Sequence, residues 1–147
     1  MAPEGEVRQH RRMPFKLLIV DDSELVRTSL RKQIAFATDL AVIREVCTLG
    51  EALIDVKCNP PSLVILDLHL PDGFGANIIQ PIKALAPASR IAILTSHADP
   101  EIRDCCLALG ANWFFDKASE LFFLMEVVRL LAIANATNRP TPDNTYE

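Results

Sequence analysis

A chain of 147 residues, half of them apolar and 23% charged, is long enough to bury the core of one self-supporting domain. A net charge of −4 offers no broad basic field to nucleic acid, and no stretch reaches the ~20 apolar residues of a membrane helix. Four cysteines (Cys47, Cys58, Cys105 and Cys106) lack any CxxC spacing, so buried free thiols are expected rather than a disulfide.

Residues 1–14 hold the only basic cluster (Arg8, His10, Arg11 and Arg12) and lack the apolar core of a signal peptide, which predicts a flexible leader on a cytoplasmic protein. KLLIV at 16–20 is a continuous apolar run that ends on two adjacent acids, Asp21 and Asp22. Ser23 is placed to cap a helix over 23–36. VIREVC at 42–47 alternates with charge, as an edge strand does, and a helical period over 50–58 stops at Pro60-Pro61. LVILDL at 63–68 is a buried strand carrying Asp67, and Pro71-Asp72-Gly73 turns the chain into a helix over 74–86. RIAILT at 90–95 is the next strand, leading to Asp99-Pro100-Glu101 as the start of a helix over 99–109. Gly110 fits a helix end, and NWFFD at 112–116 is the fifth strand. Ser119 begins a last helix over 119–135, and residues 136–147 are a polar tail or linker stub.

Strand and helix thus alternate five times, which predicts an α/β fold: a doubly wound parallel sheet covered by helices on both faces. In such sheets ligands sit at the carboxyl ends of the strands. Those ends carry Asp21-Asp22, Asp67, Thr95-Ser96 and Asp116-Lys117. Two carboxylates about 4 Å apart repel by roughly 4 kcal/mol at an effective dielectric near 20, so three clustered acids call for a cation or a proton. An all-oxygen site with open positions suits Mg²⁺, and Lys117 with the Thr95 hydroxyl suits the oxygens of a phosphoryl group. Asp67 is then placed as a carboxylate nucleophile forming an acyl phosphate.

The set IVDDSELVR, LVILDLHLPDGFG, IAILTSHAD and GANWFFDKASE resembles the receiver domain of two-component response regulators over about residues 16–135. The resemblance implies a single-domain (βα)₅ receiver at 15–135 with flavodoxin-like strand order 2-1-3-4-5. It further implies phosphorylation of Asp67 by a sensor histidine kinase or phosphotransfer protein. Mg²⁺ would be arranged by Asp21, Asp22, Asp67 and the backbone carbonyl of His69, with Asp22 as the direct ligand of the acidic pair and Asp21 acting through water. Thr95 and Lys117 would contact the phosphoryl group, and Phe114 falls at the family's switch aromatic. Having no hydroxyl, Phe114 would switch by packing alone.

His69 and His97 flank this site two residues after Asp67 and Thr95, and their imidazoles are expected to tune how fast water attacks the acyl phosphate between about pH 6 and 8. The last helix is apolar well beyond one stripe: Leu121, Leu124, Val128 and Leu131 make one face, and Phe122, Met125 and Ile133 extend onto others. Excess apolar surface of this kind predicts a partner contact, and the resemblance implies that a homodimer or partner would meet the face of helix 4, strand 5 and helix 5. The chemistry is a self-directed phosphotransfer, not enzymatic turnover. Two other readings remain. One is the receiver of a longer DNA-binding regulator, with no direct nucleic-acid binding within this chain. The other is an aspartyl-phosphate phosphatase, which would want a DxD spacing that Asp21-Asp22 lacks.

Overall fold

The computed structural model describes residues 14–137. The basic residues Arg8, His10, Arg11 and Arg12, and the tail from residue 138 onward, lie outside the described residues. Five parallel strands form one sheet: β1 (Phe15–Val20), β2 (Ala41–Val46), β3 (Leu63–Leu66), β4 (Arg90–Thr95) and β5 (Trp113–Asp116). Their order is β2-β1-β3-β4-β5, as expected, with β1, β3 and β4 in the centre. The helices are α1 (Glu24–Ala37), α2 (Leu49–Cys58), α3 (Ile79–Leu85), α4 (Pro100–Leu109) and α5 (Leu121–Thr137).

The period of two along each strand divides the core. Leu18, Val20, Val64, Leu66, Ile91, Ile93 and Phe114 face α2, α3 and α4. Leu17, Ile19, Leu63, Ile65, Leu94 and Phe115 face α1 and α5. Each fully buried aliphatic side chain contributes about 1.5–3 kcal/mol, so both faces hold the central strands firmly. The edge strand β2 is only half buried, and its charges bind across to neighbouring helices: Arg44 pairs with Asp55 of α2, and Glu45 with Arg27 and Arg31 of α1.

Local signals act as the chain order predicts at α1 and α4. The Ser23 hydroxyl accepts from the Val26 amide at 3.2 Å, and the Asp99 carboxylate accepts from the Glu101 amide at 2.9 Å. Gly110 ends α4 at φ +120°, where a side chain would strain the backbone.

Boundaries differ from expectation chiefly at the end of β3, which stops at Leu66 rather than Leu68, and around α3 and α5. The helix expected over 74–86 begins instead as a two-residue hairpin (His69–Leu70 against Gly73–Phe74), followed by a 3₁₀ turn over Gly75–Ile78. The α-helix starts only at Ile79, so Pro81 falls in its first turn, where a missing N–H costs nothing. At the other end of the chain, α5 begins at Leu121 and not at Ser119. The Ser119 hydroxyl donates to the Asp116 carboxylate at 3.2 Å, and the Glu120 carbonyl accepts the first helical bonds from Phe123 and Leu124. The helix also runs two residues past its expected end, to Thr137.

Candidate functional site

The register of the sheet brings the acids together. Val20 pairs with Leu66, so the next residue of each strand, Asp21 and Asp67, leaves the sheet side by side. Backbone bonds hold both exits: the Asp67 amide donates to Val20 at 2.9 Å and the Asp21 amide to Val46 at 3.2 Å. Neighbouring strands lie ~4.8 Å apart, which is why two residues distant in the chain become one cluster. Carboxylate oxygens of Asp21, Asp22 and Asp67 all lie within 4.8 Å of one another, with Asp21 and Asp67 buried and Asp22 exposed. The arrangement can hold a metal ion.

Lys117 comes from the far edge of the sheet. Its amide donates to the Thr95 carbonyl at 2.8 Å, which continues the β4–β5 ladder and turns the side chain inward. The ammonium then reaches Asp21 Oδ2 at 2.9 Å and Asp67 Oδ2 at 3.4 Å. Burial works against that ammonium, but the Asp21 hydrogen bond and the two carboxylates outweigh it and raise its pKa. Asp67 is also raised, first by burial and further by Asp21, against the opposing pull of Lys117. One Asp67 oxygen, Oδ1, accepts from the Leu68 amide at 2.7 Å, which fixes the direction of the other.

Thr95 is fully buried at the end of β4, where its hydroxyl accepts from the His97 amide at 3.1 Å. His69 and His97 meet at the rim of the site, with ring centroids 4.7 Å apart in an edge-on arrangement, and Phe74 packs against His69 at 5.6 Å. Phe114 is buried in the core on the α2–α3–α4 face, below this cluster. Of the residues singled out in the sequence, Asp21, Asp22, Asp67 and Lys117 form one cluster, the two histidines form a pair, and Phe114 lies in the core.

Two residues that shape the site carry no sequence signal strong enough to single them out. Gly75 lies against the loop that carries Asp67: a Cβ there would fall 2.2 Å from the Asp67 carbonyl, and its amide donates to Leu68 at 2.6 Å. Only glycine permits so close an approach of two backbones. Asp72, read from its sequence as a turn residue, accepts from the amides of Leu49 at 2.9 Å and Gly50 at 3.0 Å. Those two amides, at the first turn of α2, hold its carboxyl below the usual carboxylate range and tie the loop after Asp67 to that helix.

Residues 17–129 match the family described as the response regulator receiver domain. The chain belongs to that family. This receiver is 31% identical over 102 residues to the DNA-binding transcriptional activator DevR/DosR of Mycobacterium tuberculosis, across 69% of this chain and 47% of that protein. It is 34% identical over 106 residues to the uncharacterized transcriptional regulatory protein YhcZ of Bacillus subtilis, across 72% of this chain and 50% of that one. A LuxR-family two-component response regulator from Aurantimonas sp. superposes with a TM-score of 0.74 at 26% identity, covering 92% of this chain and 95% of that structure. A CheY-like receiver domain protein from Methanospirillum hungatei shares the fold with a TM-score of 0.75 at 22% identity, covering 86% and 99%. The receiver spans about half the length of the curated relatives it matches. Among the described residues no helix is long and apolar enough to cross a membrane.

Proposed function

We propose that Asp67 is the phosphoacceptor of this receiver, served by Mg²⁺ held at Asp21, Asp22, Asp67 and the backbone carbonyl of His69. The observation that carries this reading is the packing of three carboxylates within 4.8 Å of one another beside a lysine ammonium. Their hard oxygen donors, at the open end of the sheet, fit a cation that keeps several waters and accepts phosphate oxygens. When bound, the ion supplies positive charge against the carboxylates and the phosphoryl oxygens.

The residues of the chain do the rest. Oδ1 of Asp67 stays on the Leu68 amide, and an Asp67 carboxylate oxygen forms the bond to phosphorus. In the donor, a phosphohistidine of a sensor kinase or phosphotransfer protein, the P–N bond breaks; its electron pair stays on the imidazole, which takes up a proton. Lys117 and the Thr95 hydroxyl then donate to oxygens of the bound phosphoryl group. Thr95 and Phe114 pass that local charge to the surface by repacking, a shift of population rather than a turnover reaction. The receiver works in the cytoplasm, where such donors are found.

The surface that reads the shift is the face of α4, β5 and α5. Phe123 and Leu130 are exposed there, and with Arg103, Leu107 and Trp113 they line a groove of about 480 Å³. The relatives' length favours a second, compatible reading, in which this is the receiver of a longer DNA-binding regulator.

One preparation tests these points together. Incubated with Mg²⁺ and acetyl phosphate, the wild-type protein gains the mass of one phosphoryl group and Asp67→Ala gains none. The labelled protein sediments as a dimer, and label decay changes when His69 and His97 are both replaced by alanine. An unlabelled wild type, under conditions that label another receiver, overturns the phosphoacceptor. A labelled monomer removes the dimer face, and unchanged decay removes the histidines' role.

A further inference from the structure

We infer that Arg27 is a positioning residue for the cation site, acting on the backbone of the acidic pair rather than on its carboxylates. Arg27 lies on the first turns of α1, six residues after Asp21, and its side chain is only 14% exposed. One guanidinium nitrogen, Nη1, donates to the Asp21 carbonyl at 2.8 Å, and Nε donates to Glu45 Oε1 on β2 at 3.1 Å. A planar guanidinium can make both bonds at once because its donors leave in fixed directions. The carbonyl of Asp21 is thereby tied, through one side chain, to the neighbouring strand.

The Asp21 carbonyl belongs to the peptide that leads into Asp22, so fixing it orients the exposed acid as well as the buried one. Among the described residues no other hydrogen bond reaches that carbonyl. Asp21's amide is held by Val46, its carboxylate by Ser23 and Lys117, but the peptide between the two acids rests on Arg27. Asp22 sits at an exposed turn where, without this hold, its carboxylate would sample many directions. A metal site loses affinity when the groups that orient its ligands are removed. Glu45 completes the device by keeping Arg27 from swinging into solvent.

Arg31 supplies an internal control. It also pairs with Glu45 and is about half exposed, so its removal loosens the same α1–β2 contact without touching the Asp21 carbonyl. A purely structural role for Arg27 therefore predicts that the two arginines behave alike.

This inference rests on the reading that the three acids bind Mg²⁺, and its test separates the two. Mg²⁺ is titrated by calorimetry into the wild type, Arg27→Ala, Arg27→Lys, Arg31→Ala and Glu45→Gln. Binding is expected to weaken ~10-fold in Arg27→Ala, with a smaller loss in Glu45→Gln, partial recovery in Arg27→Lys and wild-type affinity in Arg31→Ala. Thermal melts confirm that each variant is folded; if Arg27→Ala is not, Arg27→Lys and Glu45→Gln carry the comparison with Arg31→Ala. Wild-type affinity in the Arg27 and Glu45 variants, or an equal loss in Arg31→Ala, overturns the positioning role while leaving the cation site standing. A wild type that takes up no Mg²⁺ overturns both.

Discussion

At the amino end of the sheet, the chain satisfies itself with neutral groups. The Ser62 amide donates to the Lys16 carbonyl at 2.7 Å, the Arg90 amide to Ser62 at 3.1 Å, and the Ile91 amide to the Asn112 side chain at 2.9 Å. The charges described there are lysines on neutral oxygens: the Lys16 ammonium on the Asn59 amide oxygen at 2.8 Å, and the half-buried Lys83 ammonium on the Ser89 carbonyl at 2.7 Å and the Asn112 side chain at 3.1 Å. At the carboxyl end of the same strands, two acids and a lysine are taken out of water within a few ångströms of each other. Both ends close a five-stranded sheet, yet among the described residues only the carboxyl end buries carboxylates. The difference teaches that the buried charges are not required by the fold. Under the proposed function they are tolerated for the cation and phosphoryl group they would bind, and removing them should show it.

The largest way to break that contrast is to disturb the backbone under the charges. Gly75→Ala places a methyl group 2.2 Å from the Asp67 carbonyl, a contact with backbone that cannot turn aside. The expected cost is about 2 kcal/mol in chemical denaturation, together with loss of the proposed phosphoryl labelling as the loop carrying Asp67 shifts. A variant as stable and as readily labelled as the wild type would show that the loop has room the structure does not give it.

A middle-sized change sharpens the contrast in the opposite direction. Burial raises the Asp67 pKa above its unfolded value, so the ionised group opposes folding at neutral pH and ceases to do so once it is protonated. Asp67→Asn should therefore be more stable than the wild type by about 1 kcal/mol near pH 7. As pH falls through the folded-state pKa of Asp67, the two stabilities should converge. Melting curves across that range check the sign, and an Asn variant less stable at neutral pH would mean that Lys117 more than repays the burial.

The smallest effect belongs to the other end. Lys16→Met removes one exposed hydrogen bond, and the midpoint of unfolding should move by no more than about 0.5 kcal/mol with labelling unchanged. A large loss there would place a structural burden on charge at both ends and remove the distinction.

Much of this site is legible in the chain because its parts are local patterns. LLIV runs straight into Asp21-Asp22, and LVIL into Asp67, so the acids are marked at or near the ends of buried strands, although the strand expected over 63–68 stops at Leu66 and leaves Asp67 just beyond it. The two histidines are legible beside the site, since each stands two residues past a strand-end group, but that their rings meet is not. Gly75 and Asp72 are not, because nothing in LPDGFG says which backbone will touch the glycine or which helix will receive the aspartate. The helix expected from residue 74 fails for a related reason. A helical period is visible there, but the chain must first bend tightly around Asp67, and the first five residues of the expected helix, 74–78, go to the end of a hairpin and a 3₁₀ turn. At α5 the apolar excess is plain in the sequence, but its division is not: Leu124, Val128 and Ala132 are buried while Phe122 and Phe123 face outward.

The sequence by itself determined the alternation of strand and helix, the central and edge strands, and the acids, hydroxyl and lysine placed at strand ends. Periodicity and turn chemistry are properties of neighbours in the chain, and they survive any choice of fold that honours them. Only the tertiary structure decided that Lys117 bridges Asp21 and Asp67 and that Asp22 stays exposed. It alone set Arg27 on the carbonyl between the two acids. Those facts depend on register between strands far apart in the chain, where one residue of slip would send every side chain to the other face.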